Sequence, residues 1–296
     1  MLKKNNVDFN KSTSDEKVEK KGNVMKNQPL DYTYHSHTYR CGHAVGSDEE
    51  YVKKAIEGHY HILGFSDHVM LPGRSQPGMR GDFSLEEGYF KSVRDLQRKY
   101  AKQIQIYLAF ECEWYGETYR QYYHDLLSKG LVDYLLLGQH DYLDDDQLTF
   151  YGRLSDKRAA TLKYTEDIIS GIESGLFIYV AHPDLFMAWY DSWDALAQDC
   201  ASRIIEAAMK AGMPLEVNMG PSRWGRRNRI GEAIDVAYPY PEFWDMVSEA
   251  GASVIIGVDD HDPNELLSSP FDWVREFIQD HNLNYQDRLE LPFKVK

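Results

Sequence analysis

Cysteine is scarce: Cys41, Cys112 and Cys200 are the only three in 296 residues, and no two stand in a C-x-x-C spacing. That excludes a disulfide framework and a thiolate-built structural zinc site, and it suits a reducing, cytoplasmic setting. Long apolar runs are missing too. Runs such as Tyr134 to Leu137 and Val254 to Ile256 fall far short of the roughly 20 residues that span a bilayer. The charged opening stretch has no apolar signal core, so no membrane partner is expected. Basic residues are outnumbered, 33 against 47 acidic, for a formal charge of −14. A surface of that sign disfavours nucleic acid as a partner. No G-x-G-x-x-G or P-loop follows the first apolar run, so nothing supports a dinucleotide fold.

What is present is an alternation. Residues 1–30 hold seven Lys, four Asp plus Glu and one aromatic, without a helical or strand period, and are expected to form a disordered tail. From Asp31 onward, short β-branched or apolar runs alternate with longer helical stretches. Strands are expected at Tyr32–Tyr34, Ile62–Phe65, Ile104–Phe110, Tyr134–Leu137, Phe177–Val180, Leu215–Val217 and Ser253–Ile256. Ser47 with Glu50, and Ser84 with Glu87, read as capping boxes opening two of the intervening helices. A run of βα units implies a parallel sheet covered by helices, most naturally closed into a single-domain TIM-like barrel over residues 31–296.

In such a barrel, chemistry sits at the carboxyl ends of the strands. The residues found there are His35, His37 and His43 after the first strand, then Asp67-His68, Glu111, His140 and His182 after the next four. Asp259 and His261 follow the last. Every strand but the sixth ends in a metal-ligand residue type. Residues i and i+2 of an extended chain share a face, so His35 with His37, and Asp259 with His261, can each grip one ion. Imidazoles and carboxylates suit Zn, Fe or Mn, and more than four converging ligands imply more than one ion. One histidine alone is ordinarily a packed or solvated residue; coincidence at six strand ends is not ordinary. His59 and His61 precede the second strand and belong to the opposite end. His124 lies within a helix and His281 just past one, and none of the four is expected to bind metal. Cys41 is expected to be a packed small side chain and Cys112 to face away from Glu111.

The ordered series HSHTYRCGH, GFSDH, AFECE, LLGQH, VAHPD and VDDH resembles the motifs of the PHP (polymerase and histidinol phosphatase) superfamily, and most closely its histidinol-phosphatase branch. The resemblance runs from about Asp31 to the end. It implies a distorted (βα)7 barrel with up to three divalent ions (Zn, Fe or Mn). One ion is implied on His35, His37, Glu111 and Asp259, a second on bridging Glu111 with His140 and His182, and a third on His43, His68 and His261. Glu113 shares a face with Glu111 and is the alternative ligand. The implied activity is phosphomonoester hydrolysis by a metal-bridging hydroxide, with Glu111, Asp259 and His261 as catalytic ligands. Asp67 and Asp184 are candidates to assist the leaving group. The clustered cations make the site locally positive inside an acidic protein, so a small phosphorylated partner is compatible with the overall charge.

Substrate recognition is expected from the segment Glu216-Val-Asn218-Met-Gly-Pro-Ser-Arg223-Trp-Gly-Arg226-Arg227-Asn-Arg229. The histidinol-phosphatase branch has a similar E-x-N followed by Gly and a basic residue. Arg223 is therefore the preferred phosphate ligand, Asn218 a supporting donor, and Arg226 and Arg153 further clamps, since a guanidinium fork matches phosphate oxygens. The expected reaction is histidinol-phosphate hydrolysis in histidine biosynthesis. Two alternatives remain: a PHP phosphoesterase on a nucleotide, sugar phosphate or phosphotyrosine protein, and a non-catalytic metal-binding module. The sequence does not set the oligomeric state.

Overall fold

The computed structural model describes residues 27–224 and 237–291. In chain order it contains β1 (Tyr32–Thr33), α1 (Asp48–Glu57), β2 (Ile62–Phe65), α2 (Glu86–Tyr100), β3 (Gln105–Cys112), α3 (Glu117–Ser128), β4 (Tyr134–Leu137), β5 (Asp141–Asp144), β6 (Gln147–Phe150), α4 (Lys157–Ser174), α5 (Ala195–Ala211), β7 (Leu215–Asn218), α6 (Gly220–Trp224), α7 (Pro241–Ala250), β8 (Ser253–Gly257), α8 (Glu265–Ser268), α9 (Phe271–Asp280) and β9 (Asn284–Tyr285). No helix among the described residues is long and apolar enough to cross a membrane.

All pairings within the two main sheets are parallel, in the orders β1-β2-β3-β4 and β7-β8-β9. The fifth expected strand is not a ladder. Residues 177–180 do run between the two sheets, with Leu137 N–H donating to Tyr179 O at 3.1 Å and Glu216 N–H to Val180 O at 2.9 Å. Pairing there is confined to isolated bridges from Val180 to Leu137 and to Leu215. At the far side a parallel bridge joins Ser36 to Asp260, so the sheet curls until the ends of β1 and β8 meet. The result is a mixed α/β fold with a curled parallel sheet inside a layer of helices.

Two local expectations change. The box at Ser47 forms as read, with Ser47 and Glu50 satisfying each other's amides. At Ser84 it does not: Asp82, two residues upstream, accepts from both the amide (3.0 Å) and the hydroxyl (2.6 Å) of Ser84, opening a 3-10 turn, and α2 starts uncapped at Glu86. The tail boundary also moves. Asn27 N–H donates to Asp272 at 2.6 Å, Arg275 reaches Pro29 O at 3.1 Å, and Leu30 is buried, so residues 27–30 pack on the domain; residues 1–26 lie outside the described chain.

The interior is unusually rich in tyrosine. Tyr134 on β4 passes its hydroxyl across the sheet to the Tyr34 carbonyl at 2.6 Å, and Gly64 on β2 makes room: a Cβ there would stand 1.9 Å from that hydroxyl. Tyr134→Phe strands a buried carbonyl without its donor. It should cost about 1–3 kcal/mol, read as a lower midpoint in urea denaturation with an unchanged m-value.

Candidate metal centre

β3 ends by placing Glu111 at the middle of the strand-end cluster. Its carboxylate is 2.8 Å from His182 Nε2, 3.1 Å from His68 Nδ1, 3.5 Å from His35 Nε2, 3.6 Å from His37 Nε2 and 3.7 Å from His140 Nε2. Asp259, after β8, lies 3.1 Å from His37 Nε2, 3.6 Å from His35 Nε2 and 3.7 Å from His261 Nδ1. His43 completes the set, 3.0 Å from His261 across facing Nε2 atoms. All nine expected ligand residues thus come together at the carboxyl ends of the strands.

Empty space opposite the carboxylates is built in. Gly138 follows β4 where an added Cβ would stand 2.0 Å from Glu111 Oε1, and Gly257 closes β8 where one would stand 1.7 Å from Glu216 Oε1. Two ligand residues also hold a backbone that side chains rarely adopt, His182 at φ +31° and Asp259 at φ +53°. Such positions cost of order 1–3 kcal/mol each and persist where the surrounding structure imposes them.

The outer contacts aim the rings. His35 Nδ1 meets Glu216 Oε1 at 2.8 Å, His140 Nδ1 meets Glu113 Oε1 at 3.0 Å, and His261 Nδ1 meets the Asp259 carbonyl at 3.2 Å. Each acceptor selects the Nδ1–H tautomer and turns an Nε2 lone pair inward. Glu216, Glu113 and Arg80 were not assigned these positioning roles from the sequence. Glu216 also accepts from Tyr179 (3.1 Å), the His182 amide (3.1 Å) and Asn218 Nδ2 (2.8 Å). Glu113 is held by buried Arg80 at 2.9 Å, which together with His140 outweighs burial and keeps its pKa at about 2. It is therefore engaged outside the cluster that Glu111 faces.

Electrostatics favour a cation over protons. Burial lowers an imidazole pKa, yet at His37 the carboxylates of Asp259, Asp67 and Glu111 prevail and raise it to about 9. His68, buried beside His37 and His140, falls to about 3. Burial would raise the Glu111 pKa, but the rings of His140, His35 and His68 hold it well below the usual range. The ring pairs His35–His37 and His43–His261 point Nε2 at Nε2 across 3.2 and 3.0 Å, and Glu111 Oε2 is buried without a hydrogen bond. Inward lone pairs around carboxylates form a donor set that divalent ions fit. Groups of ligand atoms within 4.8 Å of one another are His35-His37-Asp259, His68-Glu111-His140, His37-His68-His261 and Cys41-His43-His261. The first two parallel the implied first and second ions, with His68 drawn toward the second. Burial and Asp67 push the Cys41 thiol up to about 12, so it is neutral unless a cation displaces its proton.

The cluster opens into a cavity of about 300 Å³ whose apolar wall includes Met79, Phe150, Leu185 and Tyr238. A neighbouring groove of about 580 Å³ shares His140, Met79 and Phe150 and adds Arg153, which is exposed. A further groove, of about 560 Å³, lies between the C-terminal ends of α4 and α5 and holds none of the nine ligand residues. Among the proposed recognition residues, Asn218 is committed inside the fold: it donates to Glu216, accepts the Gly220 amide at 2.8 Å and is buried, so its amide supports Glu216 rather than an incoming phosphate. Arg223 falls in α6 with its side chain undescribed, and Arg226, Arg227 and Arg229 lie outside the described residues. Asp67 accepts from Thr38 and from the His68 amide. Asp184 accepts from the Tyr240 amide at 2.6 Å and from Trp244 at 3.0 Å, with burial lifting its pKa to about 7; both aspartates brace the fold. His59, His61 and His124 stay away from the cluster, and His281 pairs with Asp245 at 2.7 Å.

A family model described as "PHP domain" matches residues 33–220. The chain belongs to the PHP domain family. A protein of Deinococcus radiodurans named "Probable histidinol-phosphatase" is 25% identical over 247 residues, covering 82% of this chain and 90% of its own length. A Schizosaccharomyces pombe protein of the same name is 22% identical over 256 residues, covering 78% and 81%. Among solved structures, the histidinol phosphate phosphatase of Lactococcus lactis, crystallised with zinc, L-histidinol and phosphate, superposes with a TM-score of 0.64 at 16% identity, over 87% of this chain and 95% of that one. Within the family, this chain is thus similar to the histidinol-phosphatase-like hydrolases.

Replacing Glu216 by Gln removes the charge that fixes the His35 tautomer while keeping the side chain's shape. Zinc affinity, measured by competition with a chromophoric chelator, should fall about 10–100-fold; an unchanged affinity would contradict the positioning role.

Proposed function

We propose that this protein hydrolyses a small phosphomonoester, with L-histidinol phosphate the favoured substrate: L-histidinol phosphate and water give L-histidinol and phosphate, a step of histidine biosynthesis. The observation that carries this reading is the convergence of His35, His37, His43, His68, Glu111, His140, His182, Asp259 and His261 in one cluster at the strand ends, seven of them lining its cavity and His35 and His182 packed behind on Glu111. The bridges at Val180 and between Ser36 and Asp260 are read here as completing a distorted seven-stranded barrel that holds them in a ring. Similarity to relatives named as histidinol-phosphatases supports the substrate.

Up to three divalent ions (Zn, Fe or Mn), once bound, would neutralise phosphate oxygens and supply a water ionised near neutral pH. The chain's own residues do the rest. Glu111 and Asp259 provide the anionic ligands, and Glu216, Glu113 and the Asp259 carbonyl keep inward lone pairs on His35, His140 and His261. The apolar wall of Met79, Phe150, Leu185 and Tyr238 excludes bulk water from the ester. Arg153, which lines the adjoining groove, is the proposed partner of the substrate's phosphate, since a guanidinium fork matches its oxygens. Arg223 and Arg226 remain further candidates for that pairing.

The function is tested by phosphate release from a panel of histidinol phosphate, nucleotides, sugar phosphates, phosphotyrosine peptide and an aryl phosphate, before and after chelation. Histidinol phosphate should be the fastest, chelation should abolish turnover, and added zinc should restore it. A rate for histidinol phosphate no better than for the aryl phosphate would favour a PHP phosphoesterase of other specificity. Separately, Arg153→Ala should raise KM about tenfold, equivalent to ~1.4 kcal/mol, with kcat nearly unchanged; steady-state kinetics showing an unaltered KM would remove Arg153 from recognition.

A further inference from the structure

One buried thiol lies within 4.8 Å of two histidines that line the cavity. Cys41 closes the 3-10 turn Tyr39–Cys41, which Thr38 caps and Gly42 ends at φ +85°. A Cβ on Gly42 would press on the Gly78 backbone at 3.3 Å, so the reversal there favours glycine on conformation and on space. The turn is fastened on three sides. Thr38 donates to Asp67, Arg40 forms a two-pronged ion pair with Asp48 at 2.8 and 2.8 Å, and the Val45 amide donates to the His261 carbonyl at 2.8 Å. The reversal at Gly42 carries Cys41 and His43 to the same side of the loop, against His261 arriving from the end of β8. The Cys41 sulfur and one ring nitrogen from each histidine lie within 4.8 Å of one another, and the two imidazole Nε2 atoms are 3.0 Å apart.

A sulfur packed for volume alone needs no such company. The other two cysteines among the described residues, Cys112 and Cys200, are equally buried and belong to none of the ligand-atom groups. Cys41 differs in having two imidazole nitrogens beside it, both at the edge of the cavity that receives the substrate.

We infer that Cys41 Sγ joins His43 and His261 as a ligand of one divalent ion, giving this centre a single sulfur-bearing position among otherwise nitrogen and oxygen donors. The inference rests on the metal-centre reading above and narrows it. A thiolate ligand favours Zn(II) or Co(II) over Mn(II), so this position discriminates between metals where the carboxylate-rich positions do not. Three protein ligands also leave a fourth position of a tetrahedral ion open toward the cavity. Binding displaces the thiol proton to solvent, with no change of oxidation state.

The test uses the full chain loaded with Co(II). Visible d–d bands report whether cobalt is bound at all, and a near-ultraviolet sulfur-to-cobalt charge-transfer band reports thiolate ligation. The wild-type protein should show both. Cys41→Ser should lose the charge-transfer band while keeping d–d absorption from the remaining ions, and Cys112→Ser should keep both. Bound cobalt without a charge-transfer band in the wild type, or a band that survives Cys41→Ser, overturns the inference and leaves the metal centre standing. Absence of any bound cobalt overturns the inference together with the metal centre.

Discussion

The structure depends on one electrostatic constraint: a buried carboxylate, Glu111, ringed by imidazoles at the floor of the cavity. Five histidine rings come within 3.7 Å of its oxygens, and the residue is 1% exposed. Protons cannot satisfy such a group uniformly, because each protonated ring depresses its neighbours, as the opposite displacements of His37 and His68 show. Divalent ions can, since each accepts several lone pairs at once. Buried charge of this kind is costly unless compensated. It therefore persists only where something other than stability requires it.

The fold meets that constraint by subtraction as much as by addition. Parallel strands bring ligands to one end, but the carboxylates need room, and Gly138 and Gly257 provide it by having no side chain. Outside the ligand ring, Glu216, Glu113 and the Asp259 carbonyl hold three imidazoles in the tautomer that points lone pairs inward. Arg80, buried in turn against Glu113, keeps that carboxylate ionised and turned away from the cluster. Two ligand residues in left-handed backbone complete an arrangement in which local strain and uncompensated charge gather at the same place.

Much of this was legible in the sequence for a specific reason. In a parallel barrel a ligand's position in the chain encodes its position in space, so residue types at strand ends suffice to find His35, His68, Glu111, His140, His182 and Asp259. What was not legible depends on side-chain direction. Glu111 and Glu113 share a strand face, and Arg80, arriving from a loop after β2, pairs with Glu113 and leaves Glu111 to face the histidine cluster. Asn218 reads in sequence as a supporting phosphate donor, and its amide instead donates to Glu216, which holds His35. The capping box at Ser84 failed because Asp82 competes for the same amide, and the fifth strand shrank to bridges because only Val180 pairs on both sides. The β5–β6 hairpin, folded at Asp145 with φ +48°, shapes the groove beside His140 without any strong turn signal.

This cluster is proposed to hold several divalent ions at once. The most direct measurement is the ratio of divalent metal to protein by elemental analysis of the purified full chain, set against Glu111→Ala. Two or more ions per chain are expected, with loss of more than one on removing Glu111, because that carboxylate touches histidines of neighbouring ligand groups. A wild-type ratio of one or below, or a ratio that Glu111→Ala leaves unchanged, would contradict it.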